Sequence, residues 1–212
     1  MGGFVVFEGL DGAGKSTQIQ LLAGALAEMG VSTETVREPG GTPAGEDIRA
    51  IMFGPNAKPL RPLTWAFLMN SARAQLVAER IRPALESGRT VLADRYWYST
   101  LAYQGGGEGI DLSVIRELSG IATSGLNPDL VVYLDLPADQ VADRKRTGHP
   151  NVLDSRPLRF HQQVAGAYKN MTEHERDRWV CFDATQPAAT LAVAIRDMVV
   201  DRLRLSPSVG AG

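Results

Sequence analysis

The sequence is poor in cysteine and in long apolar runs, and each shortage excludes a class of protein. The single cysteine, Cys181, excludes an intramolecular disulfide and favours a reducing compartment such as the cytoplasm. It lies in the apolar run 179–182, where we expect a buried and unreactive thiol. The sequence shows neither a signal-peptide pattern nor an apolar run long enough to cross a membrane, so we expect no membrane partner.

The sequence also has little excess of charge of either sign. The 22 basic and 24 acidic residues leave a net charge of −2, which argues against a polyanion-binding surface and so against a nucleic-acid partner. The histidines, His149, His161 and His174, lack metal-ligand spacing, and we expect them at the surface. The length of 212 residues suffices for one well-buried domain, which we assign to residues 1–205, with 206–212 as a flexible tail.

A glycine-rich stretch stands out among what the sequence does contain. Residues 9–17, Gly-Leu-Asp-Gly-Ala-Gly-Lys-Ser-Thr, fit the phosphate-binding loop of nucleoside triphosphatases, between an apolar strand candidate and a helical pattern. In such a loop Lys15 neutralises the β- and γ-phosphates, and the hydroxyl of Ser16 ligates Mg²⁺. The other predicted nucleotide-binding residues of the loop are Gly9, Leu10, Asp11, Gly12, Ala13, Gly14 and Thr17. Asp11 is an unexpected acid among amides that bind anions.

Short apolar runs alternate with helical patterns along the chain. The strand candidates are 3–8, 33–37, 89–93, 129–135 and 178–182. This alternation predicts an α/β fold of the phosphate-loop type, with a parallel five-stranded sheet and helices on both faces. Ligands of such sheets bind at the carboxyl ends of the strands, where the functional residues are therefore expected.

Charged and polar residues follow the second and third strands. Arg37 and Arg49 flank an irregular loop with two glycines and a proline, where they either reach a bound anion or stay solvated. Asp94 directly follows the third strand and is a candidate second carboxylate beside Mg²⁺, while Arg95 suits a bidentate phosphate contact. Residues 98–104 add hydroxyls, an amide and aromatic faces that suit a nucleobase.

Three later stretches leave alternatives open. The pattern over 62–87 predicts a long helix, in which Arg73 interrupts the apolar stripe and either snorkels or binds a ligand. The glycines of 105–109 predict a flexible turn. Residues 143–156 read as a lid whose basic residues close over a triphosphate or form a solvated helix end. Tyr168 lies on an amphipathic helix and faces either the core or the site.

Over residues 3–200 these features resemble the thymidylate kinase family. The stretches that carry the resemblance are 7–17, Arg37-Glu-Pro-Gly-Gly-Thr42, Ser71-Ala-Arg-Ala-Gln75, Asp94-Arg-Tyr96, Ala102-Tyr-Gln-Gly105 and 128–135. The resemblance implies transfer of the γ-phosphoryl group of ATP to dTMP with Mg²⁺. It also implies a homodimer, for which the stripe on helix 62–87 is either the interface or part of the core.

The resemblance assigns roles to residues on both sides of the transfer. On the donor side it implies that Lys15 and Ser16 hold ATP, that Asp94 stands near the metal, and that Asp183 and Gln186 lie beside adenine. Gly12 stands where one branch of the family has an arginine, so the chain resembles the bacterial branch, in which a lid arginine is catalytic. In this sequence that arginine is Arg144 or Arg146. On the acceptor side the implied substrate-binding residues are Asp11, Arg37, Glu38, Pro39, Arg49, Met69, Arg73, Arg95, Ser99, Thr100, Tyr103 and Gln104.

Within that set the implied contacts differ. Arg95 holds the monophosphate together with Arg37 and Arg49. Asp11 contacts the 3′-hydroxyl of the sugar. Arg73 reaches a thymine carbonyl, and Tyr103 lies against the sugar. Ser99, Thr100 and Gln104 line the base.

Three positions depart from the family pattern. Met69 stands where a phenylalanine usually stacks on thymine, and methionine can also pack on a ring. Val152 replaces a frequent lid arginine, and Glu108 replaces an arginine of the glycine-rich turn. Two rival functions remain: a deoxynucleoside kinase, whose acceptor is an uncharged hydroxyl, and a nucleotide-binding module without catalysis.

Overall fold

The computed structural model describes residues 2–144 and 156–205. Five parallel strands form one sheet: β1 (Phe4–Gly9), β2 (Thr33–Arg37), β3 (Thr90–Asp94), β4 (Leu130–Asp135) and β5 (Trp179–Asp183). Their order across the sheet is β2-β3-β1-β4-β5. The predicted parallel five-stranded sheet is confirmed. The strands begin and end within about one residue of the predicted bounds, as is usual for elements assigned from hydrogen bonds.

Helices connect the strands. They are α1 (Lys15–Glu28), α2 (Pro43–Phe53), α3 (Pro62–Leu76), α4 (Arg82–Glu86), α5 (Trp97–Thr100), α6 (Leu112–Thr123), α7 (Val141–Arg144), α8 (Leu158–His174) and α9 (Ala188–Leu203). A 3₁₀ turn, Ala138–Gln140, precedes α7. Helix α2 begins at Thr42, whose side chain accepts a hydrogen bond from the Gly45 amide and thereby caps the helix. The prediction of an irregular loop between Arg37 and Arg49 is therefore wrong from residue 43 onward, because proline is tolerated in the first turn of a helix and Thr42 caps it.

The sheet is covered on both faces, as predicted. Successive residues of β1 point to opposite sides, since side chains alternate along a strand. Val6 packs in a cluster with Ile81, whereas Val5 packs in a second cluster with Leu22 of α1 and Ile195 of α9. The apolar side chains of β1 are therefore buried on both sides, which makes this strand the centre of the core.

The predicted helix over 62–87 is present as one continuous helical segment. A π-helical turn, Val77–Ile81, joins α3 to α4. Pro83 follows this turn and lacks an N–H to donate to the turn before it, which favours such a local widening. Trp65, Met69 and Leu76 of the predicted stripe are buried within the protein, so the stripe belongs to the core of the chain.

The glycine-rich stretch 105–109 is not the flexible turn that we predicted from the sequence. Gly105, Gly106 and Gly107 complete a π-helical segment, Leu101–Gly107, that packs against α8. A Cβ atom on Gly106 would lie 2.6 Å from the Cβ of Ala167, so the missing side chain allows the close packing. The prediction was wrong because tertiary packing, which local composition does not report, overrides the turn tendency of glycine.

Two predictions about burial are also wrong. Cys181 is exposed, because β5 is an edge strand and its alternate residues face outward. Partial burial and the carboxylates of Asp135 and Asp183 raise the pKa of the thiol, so it remains a weak nucleophile. His161 is buried on α8 with its ring against Phe160, whereas the sequence suggested a surface residue.

In the part of the chain that the structure describes, every helix is too short or too polar to cross a membrane.

Candidate active site

A cavity of about 600 Å³ opens at the carboxyl ends of β1, β2 and β3. The register of the sheet places these ends side by side, with Phe7 and Arg37 both paired to Asp94. The predicted site residues that line the cavity are Asp11, Gly12, Gly14, Lys15, Ser16, Thr17, Arg37, Glu38, Pro39, Arg49, Met69, Asp94, Arg95, Ser99, Tyr103 and Gln104. The sheet thus brings together residues that are far apart in sequence.

The phosphate-binding loop connects β1 to α1. Its glycines adopt backbone angles that other residues avoid: Gly14, at the start of α1, has φ 93°, and Gly9 has φ 146°. A Cβ atom on Gly9 would also lie 2.6 Å from the carbonyl oxygen of Leu134 on the neighbouring strand. The loop therefore exposes the positive end of α1 toward the cavity, where an anion is stabilised.

Lys15 folds back over this loop. Its Nζ donates hydrogen bonds to the carbonyl oxygens of Gly9, at 3.3 Å, and Leu10, at 3.0 Å. Burial, followed by repulsion from Arg95, lowers the pKa of Lys15 to about 8. The ammonium is thus poorly solvated and held in a place where a phosphate would stabilise its charge.

Ser16 and Asp94 meet at the cavity wall. The Ser16 hydroxyl donates a 2.6 Å hydrogen bond to Oδ2 of Asp94, which lies at the end of β3. Among residues 2–144 and 156–205 no group of three or more His, Cys, Asp or Glu side chains has a metal-binding arrangement. Mg²⁺ bound with nucleotides needs only one or two protein oxygens, since phosphates and water supply the other ligands. The hydroxyl and the carboxylate therefore fit such an ion.

Arg37 and Arg49 approach the cavity from β2 and α2. Both Nη1 atoms donate to the carbonyl oxygen of Pro39, at 3.3 Å from Arg37 and 3.0 Å from Arg49. Arg37 also forms a bidentate pair with Glu46, and both of those side chains are nearly half exposed. Burial and the neighbouring charge of Arg37 lower the pKa of Arg49. An anion between the two guanidinium groups would relieve this repulsion.

Arg95 is the most constrained cation of the site. Its φ of 75° lies in the left-handed region, which a residue with a Cβ adopts at a cost. Its Nη1 donates to Gly9 O at 3.1 Å, and its Nη2 pairs with Asp11 and contacts the Tyr103 hydroxyl at 3.3 Å. The guanidinium also lies over the Tyr103 ring. Tyr168, left open by the sequence, faces this site and accepts from Nη1 at 3.3 Å.

Three apolar side chains form one wall of the cavity: Phe53, Trp65 and Met69. Phe53 ends α2 and meets Trp65 edge to face, with 5.0 Å between ring centroids. Phe53 was not predicted as a site residue from the sequence, and Trp65 was predicted only as part of an apolar stripe. The signal for Phe53 was its spacing of four residues from Arg49, which places both on one face of a helix.

Arg73 and Thr100 are fully buried and do not line the cavity. Arg73 pairs with Glu38 through Nε and Nη2, and it also donates to Asn70 and Thr100. Four of its five N–H groups thus have partners among the described residues. It does not snorkel to solvent. Burial raises the pKa of Glu38 to about 7, and the guanidinium of Arg73 opposes that rise.

The remaining predicted residues lie away from this cavity or outside the described ranges. Gly9, Leu10 and Ala13 belong to the loop but do not line the cavity. Asp183 accepts hydrogen bonds from Thr185 and Gln186 in the turn after β5, and these bonds lower its pKa. Arg144 is exposed at the end of α7. Arg146, Val152 and most of the predicted lid lie outside the described residues. Arg156, the last residue of the predicted lid, is described and pairs with Glu108.

A parallel sheet with a phosphate-binding loop after its first strand, and arginines across the same cavity, defines a kinase of the phosphate-loop class. Comparison with known families refines this class. A family model described as Thymidylate kinase matches residues 7–195. The chain therefore belongs to the thymidylate kinase family, and the resemblance noted in the sequence is confirmed.

Curated relatives from diverse bacteria agree with the family match. The thymidylate kinase of Thermomicrobium roseum is 46% identical over 206 residues, which cover 96% of this chain and 97% of the relative. The thymidylate kinase of Roseiflexus castenholzii is 41% identical, with coverage of 98% and 97%. That of Deinococcus radiodurans is 42% identical, with coverage of 94% and 97%. The similarity thus extends over nearly the whole of each chain.

Proposed function

We propose that the protein transfers the γ-phosphoryl group of ATP to dTMP, giving ADP and dTDP, a step of dTTP synthesis. One observation carries this proposal: Arg37, Arg49 and Arg95 line the same cavity as Lys15 of the phosphate-binding loop. A donor phosphate needs the loop, and a second cationic cluster is needed only by an acceptor that already carries a phosphate. An uncharged nucleoside acceptor would leave these arginines without a ligand.

On the donor side, Lys15 and the loop amides hold the β- and γ-phosphates. Ser16 and Asp94 would hold Mg²⁺, which when bound would neutralise negative charge on the phosphates. An oxygen of the acceptor phosphate attacks the γ-phosphorus while the bond to the β–γ bridging oxygen breaks, and ADP leaves. Lys15 and Arg95 stabilise the negative charge that spreads over the transferred group.

On the acceptor side, Arg95, Arg37 and Arg49 hold the monophosphate, and Asp11 accepts from the 3′-hydroxyl of the sugar. The pairing of Asp11 with Arg95 supports this assignment, because it fixes both groups at one end of the cavity. The Tyr103 ring lies beside Arg95 and would crowd a 2′-hydroxyl. These contacts favour a deoxynucleoside monophosphate.

The base packs against the cavity wall formed by Phe53, Trp65 and Met69. The aromatic ring of Phe53 offers the stacking surface that Met69 lacks, and base–aromatic stacking contributes about 1–3 kcal/mol per base. Gln104 and Ser99 supply polar contacts at the cavity, with Thr100 behind them. Arg73 is buried beside Glu38, which lines the cavity, and the second N–H of its Nη1 would donate to a thymine carbonyl once a bound nucleotide opens a path to it.

The adenine of ATP lies against the turn of Asp183 and Gln186, and Arg144 or Arg146 completes the site from the lid. The position of Asp183 at the carboxyl end of β5 supports the first assignment, since nucleotides bind at that edge of the sheet. The basic character of residues 144–146 supports the second.

Formation of ADP with dTMP, with thymidine and without an acceptor tests the function directly. We expect ADP only with dTMP, and we expect Lys15→Ala to abolish it while the unfolding midpoint stays unchanged. Turnover with thymidine alone would identify a deoxynucleoside kinase. Binding of both nucleotides without turnover would identify a module that has lost catalysis.

We further propose a homodimer in the cytoplasm. Helices α2, α3 and α6 pack beside one another, and each exposes large apolar side chains: Ile51, Leu63, Phe67, Val114 and Ile121. A second copy of the chain would cover this face. The single thiol suits a reducing compartment.

A further inference from the structure

Glu8 is a fully buried carboxylate in β1, directly before the phosphate-binding loop, and none of the roles above uses it. A buried carboxylate is costly unless it is well hydrogen-bonded. Burial raises the pKa of Glu8, and the charge of Arg95 together with hydrogen bonds opposes that rise. The partners of its two oxygens therefore indicate what the residue does.

The first oxygen fixes the backbone after Arg95. Oε1 accepts from the amide of Tyr96, at 2.9 Å, and from the amide of Ser99, at 3.2 Å. These amides belong to the turn that begins α5, immediately after the residue with φ 75°. A strained backbone conformation persists only where the surroundings determine it, and Oε1 supplies two of those contacts.

The second oxygen orients the hydroxyl groups that face Arg95. Oε2 accepts from the Ser99 hydroxyl at 2.6 Å and from the Tyr168 hydroxyl at 2.8 Å. When Glu8 is ionised, as the charge of Arg95 favours, it only accepts and can take both hydroxyl protons, while the two hydroxyl oxygens also lie 3.0 Å apart, where either can donate to the other. The two oxygens then present lone pairs to Nη1 of Arg95, at 2.9 Å and 3.3 Å. The carboxylate itself lies 4.0 Å from that nitrogen.

We propose that Glu8 is a positioning residue that holds Arg95 in place for the phosphate of the acceptor nucleotide. The inference rests on the proposed function, because it assumes that Arg95 binds that phosphate. Glutamine at this position can satisfy the two amides through its carbonyl. Its NH₂ group then faces the two hydroxyls, whose protons can no longer point to position 8. One of these protons can turn to the other hydroxyl, but the second must turn elsewhere, toward Arg95, so the pair of acceptors is lost.

The experiment compares dissociation constants of dTMP and thymidine for wild type and Glu8→Gln. Thymidine fills the base and sugar sites but lacks the phosphate. We expect Glu8→Gln to weaken dTMP binding about tenfold or more, the scale of hydrogen bonds to a charged group, and to change thymidine binding by less than about twofold. A role in general stability would weaken both ligands alike.

Glu38→Gln is the matched control, because Glu38 is also a buried glutamate that faces an arginine, Arg73. We expect it to affect dTMP and thymidine equally, since Arg73 lies on the base side. Equal weakening of both ligands by Glu8→Gln, or tighter dTMP binding, would overturn the inference. Tighter dTMP binding would show that the negative charge of Glu8 opposes phosphate binding.

If Glu8→Gln does not fold, Tyr168→Phe replaces it in the experiment. This variant keeps the buried ring and removes one hydroxyl that accepts a hydrogen bond from Arg95. It should reduce the preference for dTMP over thymidine several-fold, and an unchanged preference rejects the inference. A wild type that binds dTMP no better than thymidine overturns the proposed function and the inference with it. A wild-type preference that survives Glu8→Gln overturns the inference alone.

Discussion

At the scale of single residues, we expect the charge of Lys15 to set an upper pH limit on the proposed binding of ATP. The pKa of Lys15 is lowered to about 8, so the free protein loses this ammonium as the pH rises through that value. We expect kcat/KM for ATP to fall above pH 8, while kcat holds to higher pH because bound phosphates raise the pKa of Lys15. Profiles from pH 6 to 10 measure both quantities. Lys15→Arg, although less active, should show no such fall.

Arg73 is a second residue with a measurable signature. Guanidinium donates but cannot accept, so it suits the 4-carbonyl of thymine and not the amine of cytosine. We expect kcat/KM to decrease in the order dTMP, dUMP, dCMP, with the larger gap at the second step, because one methyl group contributes only about 1–3 kcal/mol. Arg73→Ala should shrink that gap.

The same substitution has a stability cost that needs its own control. Arg73→Ala leaves the buried carboxylate of Glu38 without its partner, which costs about 3–5 kcal/mol. Adding Glu38→Gln should restore most of the unfolding midpoint, so the selectivity of the double variant isolates base recognition. If the double variant still rejects dCMP fully, Arg73 does not read the base.

At the scale of elements, the lid arginines should act on the rate. We expect Arg144→Ala or Arg146→Ala to lower kcat by about 10³-fold, as arginines that stabilise phosphoryl transfer do, with little change in either KM. Arg159→Ala, an exposed arginine at the start of α8, is the control and should stay within a few-fold of wild type. A near-normal kcat in both lid variants would show that these arginines do not stabilise the transition state and that the lid only covers the site.

The elements also show how far the sequence predicts the fold. The strands and the phosphate-binding loop follow from local patterns, since apolar runs and the glycine–lysine spacing lie within a few residues. The helical path of 105–107 depends on α8, about 60 residues later in the chain, and no local pattern records it. The sequence also gives no sign of the buried charge of Glu8, which lies within an apolar strand. Its partners come from the turn after β3, from α5 and from α8. The sequence named the cations of the site, but tertiary contacts determine their orientation.

At the scale of the whole molecule, the apolar face of α2, α3 and α6 is where we expect the proposed homodimer to form. Phe67 is 51% exposed on this face, and Val193 on α9 is equally exposed on another. We expect Phe67→Asp to shift the protein to a monomer in sedimentation velocity, because a carboxylate cannot be buried there without a partner. Val193→Asp should leave the sedimentation coefficient unchanged. The opposite pattern would move the interface to α9.

The close approach of Gly106 to Ala167 leaves no room for even one methyl group between the two helical segments. Any side chain at 106 forces α8 outward, and Tyr168, the next residue after Ala167, moves with it. The hydroxyl that accepts from Arg95 would then withdraw from the guanidinium. A side chain at position 106, which does not line the phosphate cavity, would thus change the spacing of two helices. The measurable result would be a lower affinity for an anion.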